Sequence, residues 1–250
     1  MLPLRPEWRL PPDALTLLPN EVQVWQAELD QSLPQVQALH KLLSVEEQSR
    51  AARFRREVDR WHFVVGRGSL RQILGQYLHL APDQLQLGYG DHGKPFLIDA
   101  PHLQFNVSHA HGLALYVVRQ THPIGVDLEH LGRPLMDLEQ LSERFFSAKE
   151  HAELLALPAD QKLTAFFRGW TAKEAYLKAI GTGLSQLEQV EVTLSPGTVA
   201  QLTRVASAPF PHATDWSLYL LEPAPTYLAA IVTPGQPQYW RYWRVQPQCD

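Results

Sequence analysis

The spacing of apolar residues changes from helical to strand-like twice along this chain, once in each half, and that pattern restricts the fold more than any other feature. In each half, a long segment with apolar residues three and four positions apart precedes several short apolar segments. The first spacing predicts a helix, and the short segments predict strands. Helices followed by strands in two separate blocks are typical of an α+β fold. The pattern therefore predicts two α+β subdomains, over residues 1–120 and 121–250.

The boundaries of the helices come from capping residues and apolar stripes. Ser44 and Ser147 each stand three residues before a glutamate, as in a capping box. The apolar stripes predict long helices over residues 59–78 and 161–180. Short strands are predicted at 84–89, 103–108, 113–118, 124–129, 190–194, 217–221 and 227–232, with an edge strand at 238–245. The proline-rich first 20 residues are expected to form a surface strap.

Composition excludes several classes of protein. The single cysteine, Cys249, cannot form an internal disulfide or a thiolate metal cage. The apolar runs are too short to span a membrane, and residues 1–12 do not resemble a signal peptide. A net charge of −4 argues against general binding to nucleic acids or membranes. We therefore expect a cytoplasmic protein that binds neither nucleic acid nor a membrane.

Arginines are concentrated in one window of this acidic chain. Residues 50–71 contain seven arginines and two acids, which gives +5 where the whole chain carries −4. On the predicted helix, Arg60, Arg67 and Arg71 are seven and four residues apart and share a face. This cluster predicts a local anion site. A solvated helix face would give the same pattern.

Three carboxylates carry the clearest chemical signal. Asp127 and Glu129 are two residues apart on a predicted strand and point to the same side. Glu174 lies inside the apolar stripe of the second long helix, where an unpaired carboxylate is costly. A solvated strand end and a simple Glu174–Lys178 ion pair are the alternatives. Taken together, the three carboxylates form an all-oxygen set that suits Mg²⁺.

Polar residues also cluster after another predicted strand. Residues 105–109 read Phe-Asn-Val-Ser-His, and His111 follows closely. His109 and His111 could form a metal pair, but the sequence has no cysteine or third histidine at a spacing that suits zinc. Donation from Ser108 and His109 to a phosphate is the favoured interpretation. The turn at residues 93–95, Gly-Lys-Pro, exposes one lysine.

Five motifs occur in order between residues 44 and 185, more than half the chain. They are Gly93-Lys94-Pro95, Phe105-Asn106-Val107-Ser108-His109, Gly125-Val126-Asp127-Leu128-Glu129, Arg144-Phe145-Phe146-Ser147, and Trp-Thr-Ala-Lys-Glu-Ala-Tyr-Leu-Lys from Trp170 to Lys178, closed by Gly181-Thr182-Gly183-Leu184. In order and spacing they resemble the motifs of the larger, Sfp-like 4′-phosphopantetheinyl transferases. The Lys-Glu-Ala form of the last motif is similar to the form found in the branch of this family that often serves fatty-acid and polyketide carrier proteins.

This resemblance implies a fold and a set of ligands. The fold would have two pseudo-symmetric α+β subdomains in one chain, with the active site between them, so we expect a monomer. The resemblance implies Mg²⁺, with Mn²⁺ as an alternative, held by Asp127, Glu129 and Glu174. It implies that coenzyme A contacts Lys94, Ser108, His109 and Lys178, with Arg60 and Arg67 near its 3′-phosphate.

The resemblance also implies a reaction: transfer of 4′-phosphopantetheine from CoA to a serine of an apo carrier. The acceptors would be acyl carrier proteins or carrier domains of fatty-acid, polyketide or peptide synthases. Glu174 would take the serine proton, directly or through a metal-bound water, while Lys178, with Lys173 beside it, would supply positive charge. Residues 133–136 and the helix at 138–146 would dock the carrier.

Two other functions would use part of the same residue set. A metal-dependent phosphodiesterase would direct the carboxylates at water and would need no acceptor protein. A non-catalytic module that binds CoA or a carrier would have no need of three carboxylates. Turnover without an acceptor distinguishes the first from a transferase, and intact binding after loss of Glu174 distinguishes the second.

Overall fold

A computed structural model describes residues 3–132, 137–195, 197–205, 210 and 212–246, and it confirms the α+β class. The helices are α1 (Leu33–His40), α2 (Val45–Ala51), α3 (Glu57–Leu78), α4 (Leu138–Phe145), α5 (Ala148–Ala156) and α6 (Ala159–Ile180). The strands are β1 (Glu21–Glu28), β2 (Leu87–Tyr89), β3 (Pro95–Leu97), β4 (Leu103–Ala110), β5 (Leu113–Gln120), β6 (Gly125–His130), β7 (Glu191–Val192), β8 (Leu202–Arg204), β9 (Trp216–Leu221), β10 (Tyr227–Pro234) and β11 (Tyr239–Arg244). Within these described residues, no helix combines the length and apolarity that a membrane span requires.

Two sheets, each packed against one long helix, organise the molecule. The first has the strand order β11-β1-β5-β4, and the second has the order β6-β10-β9. The apolar stripe of α3 buries Leu70 and Leu74 in the core of the first sheet, together with Trp25. The stripe of α6 buries Phe166 and Leu177 against the second sheet. The two long apolar stripes in the sequence are therefore the helix surfaces that close the two cores.

The edge strands β4 and β6 join the two sheets through side chains. Asn106 Oδ1 accepts a hydrogen bond from the backbone N–H of Val126 at 3.0 Å. Two residues later, Ser108 Oγ accepts one from the N–H of Leu128 at 3.1 Å. These side-chain oxygens stand in for backbone carbonyls, because the two strands form no ladder with each other. As a result β4 and β6 lie side by side, with the polar residues of both at one junction.

The predicted helices and strands are largely confirmed, and the main omissions lie near the N-terminus. Ser44 and Ser147 form the expected capping boxes of α2 and α5. The long helices begin at Glu57 and Ala159, each two residues before the predicted start. The central strand β1 and helix α1 were not predicted. The prediction for residues 84–89 was partly wrong, because only Leu87–Tyr89 is a strand.

Both ends of the chain contribute to the sheets. The edge strand β11 is confirmed, and it pairs in parallel with β1 of the first sheet. The strap at the N-terminus bonds to two strand edges: Leu4 N–H donates to Leu220 O, and Arg9 N–H donates to Tyr242 O. The predicted division of the chain at residues 120 and 121 falls between β5 and β6 and stays a prediction. The last strand, β11, lies in the second half of the chain but pairs with β1, so the first sheet combines strands from both predicted subdomains.

Candidate active site

A pocket of about 510 Å³ opens where β4, β6 and α6 meet. Its position follows from the contact between β6 and α6. A Cβ added at Gly125 would lie 2.0 Å from Ala175 O, so only glycine allows the start of β6 to lie against the helix. The pocket wall includes Ser108, His109, Asp127, Glu129, Glu174 and Lys178. The structure therefore brings together six of the predicted site residues.

Asp127, Lys178 and Ser108 form a closed hydrogen-bonded triangle at the base of this pocket. Lys178 Nζ donates to Asp127 Oδ1 at 2.5 Å and to Ser108 Oγ at 2.9 Å. Ser108 Oγ also donates to Asp127 Oδ1 at 3.0 Å. Lys178 Nζ is 3.9 Å from Glu174 Oε2, so its main partner is Asp127, and the alternative of a simple Glu174–Lys178 ion pair is not favoured. Lys178 thereby compensates the charge of a buried aspartate.

Glu174 is the carboxylate whose acidity is most altered by the pocket. Burial raises the pKa of Glu174 to about 7, and the nearby charge of Asp127 contributes to the rise. Glu129 raises it further, while Lys178 and a hydrogen bond from Trp170 oppose the change. Three carboxylates that share one pocket cannot all ionise easily without a compensating cation. Near neutral pH, Glu174 can therefore both accept and release a proton.

The oxygen atoms of this cluster suit a hard cation. Asp127 Oδ2 is buried and has no hydrogen-bond partner among the described residues. An orphaned carboxylate oxygen beside two further carboxylates is the donor set that Mg²⁺ prefers. As arranged, no three His, Cys, Asp or Glu side chains in the described ranges are close enough to hold a metal ion. The magnesium centre at Asp127, Glu129 and Glu174 thus stays a prediction that the donor chemistry fits.

The two predicted histidines of the β4 end have different surroundings. Partial burial lowers the pKa of His109, and the charge of Lys178 lowers it further. His111 does not pair with His109. Instead its ring is stacked on His130, at a centroid distance of 4.4 Å. The alternative of a metal pair formed by His109 and His111 receives no support from this arrangement.

Two lysines lie outside the wall of the pocket. Lys94 Nζ donates to Ala179 O at 2.7 Å, at the C-terminal end of α6, and burial lowers its pKa to about 8. Lys173 is fully buried and binds Glu150 at 2.6 Å, along with the carbonyls of Phe145 and Leu187. The expectation that Lys173 adds charge to the site was wrong, because its ammonium holds the start of α5. The role of Lys94 stays a prediction.

The arginine window divides into three environments. Arg60 is on the surface and pairs with Glu57 at 3.2 Å. Arg67 lies over the rings of Phe63 and Tyr89, and its Nε is 3.4 Å from Glu47. Arg71 is buried and binds Glu47 at 2.6 Å, together with the carbonyls of Pro82 and Leu85. Arg67 and Arg71 do share a face of α3, since both approach Glu47. The predicted anion site was wrong for Arg71, whose guanidinium is occupied by protein groups, while Arg60 and Arg67 remain candidates for binding an anion.

The surroundings of the pocket include one predicted surface and two residues that were not predicted. Of the expected carrier-docking surface, residues 133–136 lie outside the described residues, while the following helix is α4. His130 and Tyr227 were not predicted from the sequence to belong to the pocket region, where the ring of Tyr227 meets the edge of His130 at a centroid distance of 4.8 Å. A histidine directly after the Asp-x-Glu pair was the available signal.

Comparisons with known proteins add independent findings. Residues 123–232 match the model of the 4′-phosphopantetheinyl transferase superfamily, and residues 25–121 match a model described as 4′-phosphopantetheinyl transferase, N-terminal. The chain is 44% identical over 245 residues to the 4′-phosphopantetheinyl transferase HetI from Nostoc sp., which covers 96% of this chain and 100% of that protein.

Two more distant similarities cover shorter parts of the chain. The 4′-phosphopantetheinyl transferase Sfp from Bacillus subtilis is 31% identical over 143 residues, or 57% of this chain and 62% of Sfp. The crystal structure of a holo-(acyl-carrier-protein) synthase from Bacillus anthracis, in complex with CoA (3′,5′-ADP), is 26% identical. It covers 46% of this chain and 96% of that chain, with a TM-score of 0.36.

Proposed function

This chain belongs to the 4′-phosphopantetheinyl transferase superfamily, and we propose that it transfers the 4′-phosphopantetheine group of coenzyme A to a serine of apo carrier proteins. The second product would be adenosine 3′,5′-bisphosphate. The observation that carries this proposal is the meeting of Asp127, Glu129, Glu174 and Lys178 in one pocket between the two sheets. A module that only binds CoA or a carrier has no need of that set.

The cofactor we propose is Mg²⁺, with Mn²⁺ as an alternative, held by Asp127, Glu129 and Glu174. The buried and unpartnered Asp127 Oδ2 supports this assignment, as does the raised pKa of Glu174. A divalent cation bound there would neutralise charge on the pyrophosphate of CoA. The known preference of such ions for oxygen ligands agrees with the absence of sulfur and imidazole from the set.

Lys178 and Glu174 have separate roles in the proposed transfer. The serine oxygen forms a bond to the phosphorus of the phosphopantetheine group, and the bond from that phosphorus to the leaving phosphate oxygen breaks. Lys178, already held by Asp127 and Ser108, would donate to the pyrophosphate as negative charge moves to the leaving group. Glu174 would accept the serine proton, directly or through an intervening water, because its carboxylate lies in the same pocket as Lys178 and Asp127.

The remaining parts of the proposal concern CoA and the setting of the reaction. We propose that Ser108 and His109 contact the phosphates from the β4 side, that Lys94 contributes from the hairpin turn, and that Arg60 or Arg67 lies near the 3′-phosphate. The proposed acceptors are acyl carrier proteins of fatty-acid or polyketide synthesis and peptidyl carrier domains. We also propose that the enzyme acts in the cytoplasm as a monomer.

One experiment tests the proposed function directly. The protein is mixed with CoA, Mg²⁺ and a panel of apo carrier proteins, and each carrier is weighed by mass spectrometry. Added phosphopantetheine on the carrier serine is expected, with one adenosine 3′,5′-bisphosphate released per carrier. Cleavage of CoA at the same rate without any carrier would instead indicate a phosphodiesterase. A carrier with its serine changed to alanine is the matched control.

A further inference from the structure

The pocket has an aromatic end as well as a carboxylate end. The side chains of His111 and His130, here called the histidine platform, are stacked with 10° between their planes. Tyr227 packs against the edge of His130. Both histidines line the same pocket as Asp127 and Glu174. The platform is thus part of the same cavity, although none of the proposed chemistry uses it.

The backbone holds one member of the platform, His111, in a conformation that is costly for a residue with a side chain. His111 and Gly112 form the turn between β4 and β5, with φ of 44° and 85°. Turns of two residues with positive φ favour asparagine or glycine at the first position. The Tyr227 hydroxyl donates to His111 O at 2.6 Å and fixes this turn. A Cβ at Gly132 would lie 2.7 Å from the ring of His130, so glycine also leaves room for the stack. A strained histidine fixed by several contacts indicates a use for its ring.

We propose that the histidine platform binds the pantetheine arm of coenzyme A. This inference rests on the proposed function. His130 follows Asp127 by three residues along β6, a distance of about 10 Å in a strand. A pantetheine arm attached to the phosphorus beside the carboxylates and extended along β6 would reach the platform. There its amide planes and methyl groups can pack on the imidazole faces.

Charge favours the arm over the nucleotide half of CoA at this position. Glu129 immediately precedes the platform, and Asp30 lies close enough that its charge adds to the effect of burial in raising the pKa of Tyr227. Asp30 binds His62 through one oxygen at 2.7 Å. Among the described residues that line the pocket, Lys178 is the single lysine or arginine. A 3′-phosphate at the platform would face these carboxylates, whereas the uncharged arm would not.

The test compares two ligands that differ by the arm. Adenosine 3′,5′-bisphosphate contains the nucleotide of CoA and lacks pantetheine. In His111→Asn the turn is kept, because asparagine tolerates positive φ, and the ring is lost. Calorimetry with Mg²⁺ should show CoA binding weakened by about three- to tenfold and bisphosphate binding unchanged. His130→Phe retains a flat ring and should bind CoA nearly as well as the wild type.

A matched control and the alternative outcomes complete the design. His79 also has a positive φ, 52°, at the end of α3 and outside this pocket, so His79→Asn should change neither affinity. Equal weakening of both ligands by His111→Asn would assign the platform to the nucleotide and overturn the inference. Unchanged CoA affinity with a higher KM for the carrier would also overturn it. CoA binding by the wild type without transfer would reject the proposed function alone, while no CoA binding would reject both.

Discussion

Replacing Glu174 by glutamine should make the metal-free protein more stable at neutral pH and nearly inactive. The carboxyl has a pKa of about 7 in the folded chain and an ordinary value of 4.5. Between these values the folded state binds an extra proton, so the free energy of unfolding of the wild type falls as pH rises from 4.5 to 7. The neutral amide removes this loss because it cannot ionise beside Asp127 and Glu129.

The size of the effect follows from the same values. A tenfold change in proton affinity corresponds to about 1.4 kcal/mol, so the change in pKa from 4.5 to about 7 amounts to roughly 3 kcal/mol. Urea unfolding in excess chelator should therefore give similar stabilities for Glu174→Gln and wild type at pH 4.5. At pH 8 the variant should be more stable by up to that amount. The exposed Glu188, changed to Gln, is the matched control and should change stability little at either pH.

The same variant separates the two proposed roles of Glu174. Transfer should fall by roughly two orders of magnitude, as for the loss of a preorganised electrostatic group. Recovery at high Mg²⁺ would identify Glu174 mainly as a ligand, whereas a defect that persists would identify it as the base. The reasoning would be refuted if the stability difference did not vary with pH, or if the variant were less stable at pH 8. Lower stability of the variant at pH 8 would show that Glu174 serves mainly as an ion-pair partner of Lys178.

Three further predictions concern charged residues at and around the site. Asp127→Ala or Glu129→Ala should nearly abolish transfer, while circular dichroism should show that the fold is retained. A chelator should abolish the activity of the wild type until Mg²⁺ or Mn²⁺ is added. Full activity in excess chelator would exclude the metal. Arg60→Ala or Arg67→Ala should weaken the binding of CoA by about ten- to a hundredfold, because a charge-assisted contact of about 1.5–3 kcal/mol is lost. The binding of 3′-dephospho-CoA should weaken much less. Equal losses for both ligands would show that neither arginine contacts the 3′-phosphate. Lys173→Met should lower the free energy of unfolding by about 3–5 kcal/mol, because the charge of Glu150 is left buried and without its lysine. Adding Glu150→Gln should recover part of this loss. A mild effect of Lys173→Met alone would contradict the structural role of the Lys173–Glu150 pair.

Local patterns in the sequence were sufficient for much of the fold and of the site. The capping serines Ser44 and Ser147 and the apolar stripes of α3 and α6 gave helices that the structure confirms. Spacing by two on a strand was enough to place Asp127 and Glu129 together. Each of these features depends on residues close in sequence, where periodicity carries the information.

Features that depend on distant residues could not be predicted in the same way. Lys173 and Lys178 are five residues apart on one helix, yet one is buried against Glu150 and the other faces Asp127. The environment of each lysine side chain depends on the element packed beside it, and the pattern of the helix alone does not show which element that is. Arg71 similarly shares a sequence window with Arg60 and has the opposite environment, because α2 brings Glu47 to it. Strand β1 was missed although residues 21–24 alternate between polar and apolar, because the alternation breaks where Trp25 follows Val24 and the run is short.

The position of β11 has a consequence for how the protein can be made. On one side β1 pairs with β5, and on the other its partner is β11, more than 200 residues later in the chain. During synthesis from the N-terminus, one edge of β1 therefore stays unpaired until more than 200 further residues have been made. An unpaired strand edge that persists this long is a site for association with other chains. Folding of the first sheet is thus tied to the synthesis of β11, and a ribosome that stalls before Tyr239 would release a chain with that edge open.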